Sequence, residues 1–241
     1  MKKMLAWLLA ALMLCAGAAQ ADQTARVDHD ALALDGQWAE GQMRPDEYHY
    51  FPFALEQPGK LTTRVQSFYA NASFELLDAD LVSWARVYVV YGSKGAPGTE
   101  DMAYYLEPGN YYVRSNGDSS TQGDFRVKLS FAPCACDEAA GNDDYHGAQT
   151  LPSGETLSGV LTQWDEFDYY SFTLPSETQT YLTVNSEADG QQMFVLYDGD
   201  MVEIKTEYDL HGYAEEMQLA AGTYYLAIRG AKGPYTLKAV Y

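Results

Sequence analysis

Two oxygen-rich runs carry the side chains best suited to chemistry in this chain. Glu138, Asn142, Asp143 and Asp144 stand in one, and Asp165 and Asp168 in the other. Calcium takes roughly six to eight oxygens from carboxylates, amides and backbone carbonyls. Glu138, Asn142, Asp143, Asp165 and Asp168 supply such a set if the first run folds back on the second. The other reading needs no ion. In it Asn142 and Asp143 cap a turn, and Asp168 accepts backbone N–H bonds. Calcium is the one cofactor these residues suggest.

Just upstream lies Cys134-Ala135-Cys136. In an oxidising compartment Cys134 and Cys136 are candidates for a local disulfide. Such a bond closes a small strained ring and is readily reduced. With His146 the pair does not make a zinc signature, because two further spaced ligands are missing. The sequence holds no His-Glu-x-x-His, no Gly-x-Ser-x-Gly and no phosphate-binding glycine loop. His29, His49, His146 and His211 are scattered. A non-catalytic protein is expected.

The element that must position these acids is the stretch 163–174. Asp168, Tyr170, Phe172 and Leu174 share one face of an extended strand, since side chains alternate. The same pattern occurs earlier. Asp46 answers Asp165 and His49 answers Asp168, while Phe51, Phe53 and Leu55 answer Tyr170, Phe172 and Leu174. With His49 at that place, and only Asp28 and Asp30 upstream, no hard cation is expected in the first copy.

The repeat runs on in unbroken order. Gly36 and Gly41 answer Gly154 and Gly159. Phe74-Glu75-Leu76 answers Phe194-Val195-Leu196, and Asp78 answers Asp198. The turn Leu106-Glu107-Pro108-Gly109 answers Leu219-Ala220-Ala221-Gly222, and Phe125 aligns with Tyr235. An insertion at 92–98 reads as a longer surface loop. Two units are expected, 22–132 and 133–241, the second beginning with a linker. Tyr, Val, Thr and Phe fill short segments between Gly, Pro, Asn and Asp, so the class is all-β. In the second unit strands are expected near 156–162, 168–174, 181–186, 192–197, 201–208, 214–219, 222–229 and 234–241. Many short strands with turns favour β-sandwiches of jelly-roll type.

Each unit resembles a bacterial pre-peptidase C-terminal (PPC) domain. The second carries the resemblance best, through Asn142-Asp143, Ala148, Leu151, Gly154, Gly159, the strand from Asp168 to Phe172, Leu196-Tyr197 and Gly222-Thr223-Tyr224-Tyr225-Leu226. The resemblance implies tandem, non-catalytic sandwich modules. In collagenase-type members an acid, an Asn-Asp pair and a later Asp-x-x-Asp converge on calcium. One acid of that pattern is Ala140 here.

Residues 1–21 read as a signal peptide, with Lys2 and Lys3, an apolar run and the cleavage pattern Ala19-Gln20-Ala21. Lipid anchoring through Cys15 is disfavoured by the bulky Leu14 before it. Losing the leader takes the net charge from −19 to −21. Such a surface repels nucleic acid and anionic membrane. A secreted or periplasmic protein is expected, with no nucleic-acid partner and no membrane insertion. Trp38, Trp84, Trp164, Tyr69 and Tyr208 break the core alternation and could face a protein or polysaccharide partner. The alternative role is a structural spacer of the cell envelope. A hydrolase with an unrecognised site ranks below both.

Overall fold

Side-chain alternation in the sequence carries over directly into half-buried strands. The computed structural model describes residues 25–68, 71–90, 96–117, 122–139 and 141–241. The leader with Cys15, Tyr69, the loop residues 91–95 and Ala140 lie outside them. The chain is all-β. Its first strands are β1 (Ala25–Asp28), β2 (Ala39–Met43), β3 (Glu47–Leu55), β4 (Gly59–Ser67), β5 (Ala72–Leu77), β6 (Ser83–Val89), β7 (Gly98–Leu106), β8 (Gly109–Gly117) and β9 (Gly123–Pro133). There follow β10 (Gln149–Thr150), β11 (Thr156–Leu161), β12 (Phe167–Leu174), β13 (Thr178–Ser186), β14 (Gln192–Tyr197), β15 (Glu203–Glu207), β16 (Tyr213–Leu219), β17 (Gly222–Gly230) and β18 (Gly233–Val240).

These strands form four sheets, two from each half of the chain. The first half has the orders β1-β3-β8-β5-β6 and β2-β9-β4-β7. The second has β10-β12-β17-β14-β15 and β11-β18-β13-β16, the same order strand for strand. Phe51 lies opposite Val113 in one half, as Tyr170 lies opposite Leu226 in the other. Each half closes over its own core, one around Phe51, Phe74 and Phe125, the other around Tyr170, Phe194 and Tyr235. These are sandwiches.

The eight strands expected between 156 and 241 are all present, with ends displaced by at most three residues. The two-residue β10 was not expected, being too short to show alternation. The strand expected at 201–208 is trimmed because Met201 takes a left-handed φ of 60°. There the Asp198 carboxylate accepts the N–H groups of Asp200 and Val202. Leu81 and Asp78 repeat that turn in the first half, with φ 63° at Leu81. Positive φ without glycine is costly, so the carboxylate must hold each turn.

Between the halves the chain is tied down on both sides. Cys134 N–H extends the β4–β9 ladder to Pro58, and Asp137 N–H reaches Ser158 in the second half. Gln163 N–H donates to Tyr105 at 2.9 Å. Trp164 stacks near Trp84 and Tyr111, against the first core. Lys60 pairs with Asp189 at 2.7 Å. These contacts bring the β7–β8 turn to the acids of the second half.

Candidate functional site

The two oxygen-rich runs do meet. Strand β12 carries Asp168 inward, where it is fully buried and accepts the Tyr235 hydroxyl at 2.6 Å. Tyr235 and Tyr170 link their hydroxyls at 2.8 Å, so a buried chain runs from β12 across to β18. The other Asp168 oxygen, Oδ1, is buried without a partner among the described residues. Burial, and then the neighbouring Glu138 carboxylate, hold the Asp168 pKa far above the usual carboxylate range. Burial also drives the Tyr235 and Tyr170 hydroxyls well above their ordinary values.

Glu138 sits in the segment leading to β10 and accepts the Val160 N–H at 3.2 Å. Asn142 is buried, its backbone carbonyl accepts the Tyr169 N–H at 2.7 Å, and its side-chain Nδ2 has no partner among the described residues. Asp165 accepts both the N–H and the hydroxyl of Thr162, at 2.7 and 2.5 Å. Asp143 is exposed at the rim. An open cleft of about 480 Å³ is lined by Glu138, Asn142, Asp143 and Asp165, with Glu107 and Pro58 from the first half.

Glu107 is the member that sequence reasoning missed. It lies in the β7–β8 turn, and burial followed by the Asp165 charge raises its pKa to about 7. Its counterpart Ala220 is the only available signal. Both turns use the same lock, the Tyr111 hydroxyl donating to Glu107 O and the Tyr224 hydroxyl to Ala220 O, each at 2.9 Å. The carboxyl is thus an addition to a turn that needs none.

By donor chemistry these residues fit calcium: all are oxygen donors, and Asp168 Oδ1 is a buried acceptor with nothing to accept. Their spacing falls short. Among the described residues no three His, Cys, Asp or Glu side chains are gathered closely enough to hold an ion. The physical reason is that Glu138 and Asp165 are turned to protein donors. The turn-capping alternative shifts by residue. Asp144 caps, accepting the N–H groups of His146 and Gly147, while Asp168 accepts a hydroxyl rather than a backbone N–H.

Cys134 and Cys136 stand unbonded and half-buried in the structure. The backbone between them bridges the two halves, and an extended chain holds alternate residues about 6.6 Å apart, at the limit for a bond. Cys136 donates to Glu138, and burial lifts its pKa to about 12. A thiol so protonated is a poor nucleophile.

No family model matches the sequence, and no curated protein matches it. Solved structures do. The pre-peptidase C-terminal domain of a collagenase from Bacillus anthracis is 13% identical over 43% of this chain and 93% of that one, with a TM-score of 0.32. The PBSX exported protein XepA is 12% identical, over 85% and 86% of the two chains, with a TM-score of 0.33. A secreted protein from Eubacterium rectale is 9% identical over 87% and 78%, at 0.31. Scores this low do not bear on function.

In the first half His49 occupies the place of Asp168, equally buried, and meets His29 at 2.9 Å between ring nitrogens. Burial lowers the pKa of both, and for His49 the His29 ring lowers it further. Asp28, Asp30 and Glu47 oppose that shift, while Arg44 adds to it. A depressed histidine gives stability that is complete above the unfolded value, about 6.5, and is lost as pH falls through the folded value. From about pH 7.5 to about pH 5, the His49→Leu variant should therefore gain on wild type by about 3 °C or more in Tm. A gap that stays constant across that range would remove the imidazole pair from the acid response.

No helix among the described residues is long and apolar enough to cross a membrane.

Proposed function

We propose that this chain is an exported, non-catalytic binding module, with calcium stabilising its second half. Export rests on the leader at 1–21. Calcium would be held by Glu138, Asn142, Asp165 and Asp168, with Asp143 at the rim, once Glu138 and Asp165 release their protein donors.

The observation that favours binding over a spacer is the placing of exposed apolar side chains. In the first half Leu81, Val82, Trp84, Tyr88 and Val90 gather on and beside the edge strand β6, with Tyr88 66% exposed. In the second, Val202, Ile204 and Tyr208 gather at the equivalent edge strand β15. A spacer gains nothing from apolar groups in water, whereas such residues serve recognition. Trp164 and Trp38 are not part of this surface, since Trp164 packs on the first core and Trp38 lies under Arg126.

The test is retention of the mature chain on insoluble polysaccharides and immobilised envelope proteins, with soluble products assayed alongside. Retention without products, reduced about fivefold or more by Tyr88→Ser with Tyr208→Ser, is expected, since exposed aromatic anchors carry such contacts. No retention on any support leaves the spacer. Released products would make the protein an enzyme.

A further inference from the structure

The outer face of the first half's five-stranded sheet carries a polar row that the repeat does not need. Tyr50, Arg114, Glu75 and Arg86 stand side by side on β3, β8, β5 and β6. Arg86 and Arg114 each take one oxygen of Glu75, whose side chain is only 1% exposed. The next row holds Tyr48, Asn116, Ser73 and Tyr88, with Arg26 beside Tyr48. Arg26 lies 4.3 Å over the Tyr50 ring, and Arg114 lies 4.9 Å over Tyr48.

The second half supplies an internal control. Its equivalent row is Tyr169, Ala227, Val195 and Thr206, in the same register. Ala227 stands for Arg114, Val195 for Glu75 and Thr206 for Arg86. The fold is complete without the ion cluster, and replacing a buried Arg–Glu–Arg cluster by packed apolar groups is often neutral or stabilising. Its presence in the first half alone points to a ligand.

The chemistry of that ligand follows from what is left over. Both Glu75 oxygens are taken, and the Ser73 hydroxyl donates to Asn116. Arg114 Nε is buried with no acceptor among the described residues. The donors that face solvent are the remaining N–H groups of Arg86 and Arg26, whose side chains are about half exposed, and a carboxylate is acceptor-only. In a chain of net charge −19, three of the seven arginines (Arg26, Arg86 and Arg114) converge here against two carboxylates, Glu75 and the Asp28 that pairs with Arg26 at 2.8 Å, so the face keeps a net positive charge. Arg86 and Arg114 stand on the strands either side of Glu75, their backbones about 10 Å apart and their guanidinium groups drawn together on its two oxygens. An acidic peptide is the weaker fit, because the sheet's main-chain groups are engaged in the ladders and leave no strand pairing on this face. The exposed Tyr88 ring beside Arg86 suits a sugar ring, while Tyr50 lies buried under Arg26.

We infer that this guanidinium–tyrosine face binds a carboxylated polysaccharide. The inference rests on the binding-module reading above and names its ligand.

The test is calorimetric titration of the mature chain, calcium-free, with oligogalacturonate of defined length. Dextran and poly-glutamate serve as comparators. The informative variant is Glu75→Val, Arg86→Thr, Arg114→Ala together, which installs the row the second half already carries and so keeps the fold. Wild type should bind oligogalacturonate, more weakly as salt rises. The triple variant should lose at least tenfold in affinity with an unchanged melt. Equal binding by the triple variant, or none by wild type, overturns the assignment. Equal binding of poly-glutamate overturns the sugar. Dextran binding that the triple variant retains would refute this face while leaving the binding-module reading standing.

Discussion

Millimolar calcium should raise the Tm of the protein's calcium-responsive transition by about 10 °C over the same sample in EDTA. A cation that binds only the folded chain stabilises by mass action, about 2.7 kcal/mol at a hundredfold excess over Kd. For a unit of this size each kcal/mol shifts Tm by roughly 4 °C or more. The source of the gain is the negative charge of Glu138 and Asp165 near Asp168, with Glu107 from the first half at the cleft, once these side chains draw closer onto one ion. Without a cation Asp168 stays protonated among those acids. With one, its proton leaves and the orphaned Oδ1 gains a partner. Asp168→Asn separates metal from fold. Its amide oxygen still accepts the Tyr235 hydroxyl and its charge is gone, so in EDTA it should melt no lower than wild type. Calcium should then do nothing for it. Identical wild-type melts in calcium and EDTA would end the calcium reading and leave the protonated Asp168 carboxyl, held by Tyr235, as the resting state of the site.

How far the sequence foretells this arrangement depends on which neighbours a residue has. The strands of the second sandwich and their match to the first half are legible because the two copies keep their apolar alternation in step. Asp168 and His49 are visible as a pair of unlike residues at one buried place, for the same reason. Glu107 is not, because its partners Asp165 and Thr162 belong to the other half and are brought to it by Trp164 and Tyr105. Nothing local to the β7–β8 turn announces that meeting. Glu75 is hidden differently. In Phe74-Glu75-Leu76 it occupies the outward position of a strand, where a charged residue is ordinary. Only the register across β8 and β6 shows that two arginines close over it.

The same register explains why the unlike pair, Asp168 and His49, changes the chemistry of each core. Asp168 is held by a tyrosine on β18, whereas His49 packs edge-on against Phe125 on β9. Tyr235 and Phe125 are counterparts, so the hydroxyl and the carboxylate occur together in one half and are absent together from the other. The polar chain of the second core is thus a matched set, built on a scaffold that also works without it.

Gly159→Ala should be the more damaging of two equivalent substitutions, and the reason is that matched set. Gly159 faces Tyr235 directly across β11 and β18, as Gly41 faces Phe125 across β2 and β9. A Cβ at Gly159 would lie 2.3 Å from the Tyr235 ring and hydroxyl and 2.8 Å from the Tyr170 hydroxyl. One at Gly41 would lie 2.4 Å from the Phe125 ring. Both rings must move, and overpacking of this kind costs about 1–3 kcal/mol. At Gly159 the displaced hydroxyl also leaves Asp168, and a buried acceptor stripped of its donor costs about 1–3 kcal/mol more. The expected losses are about 4 kcal/mol for Gly159→Ala and about 2 kcal/mol for Gly41→Ala, read from urea unfolding. A double-mutant cycle isolates the contact. In the Tyr235→Leu background, where no ring or hydroxyl opposes the methyl group, Gly159→Ala should cost less than about 1 kcal/mol. A full-sized loss in that background would show that glycine is needed there for its backbone, and that the tyrosine chain does not depend on it.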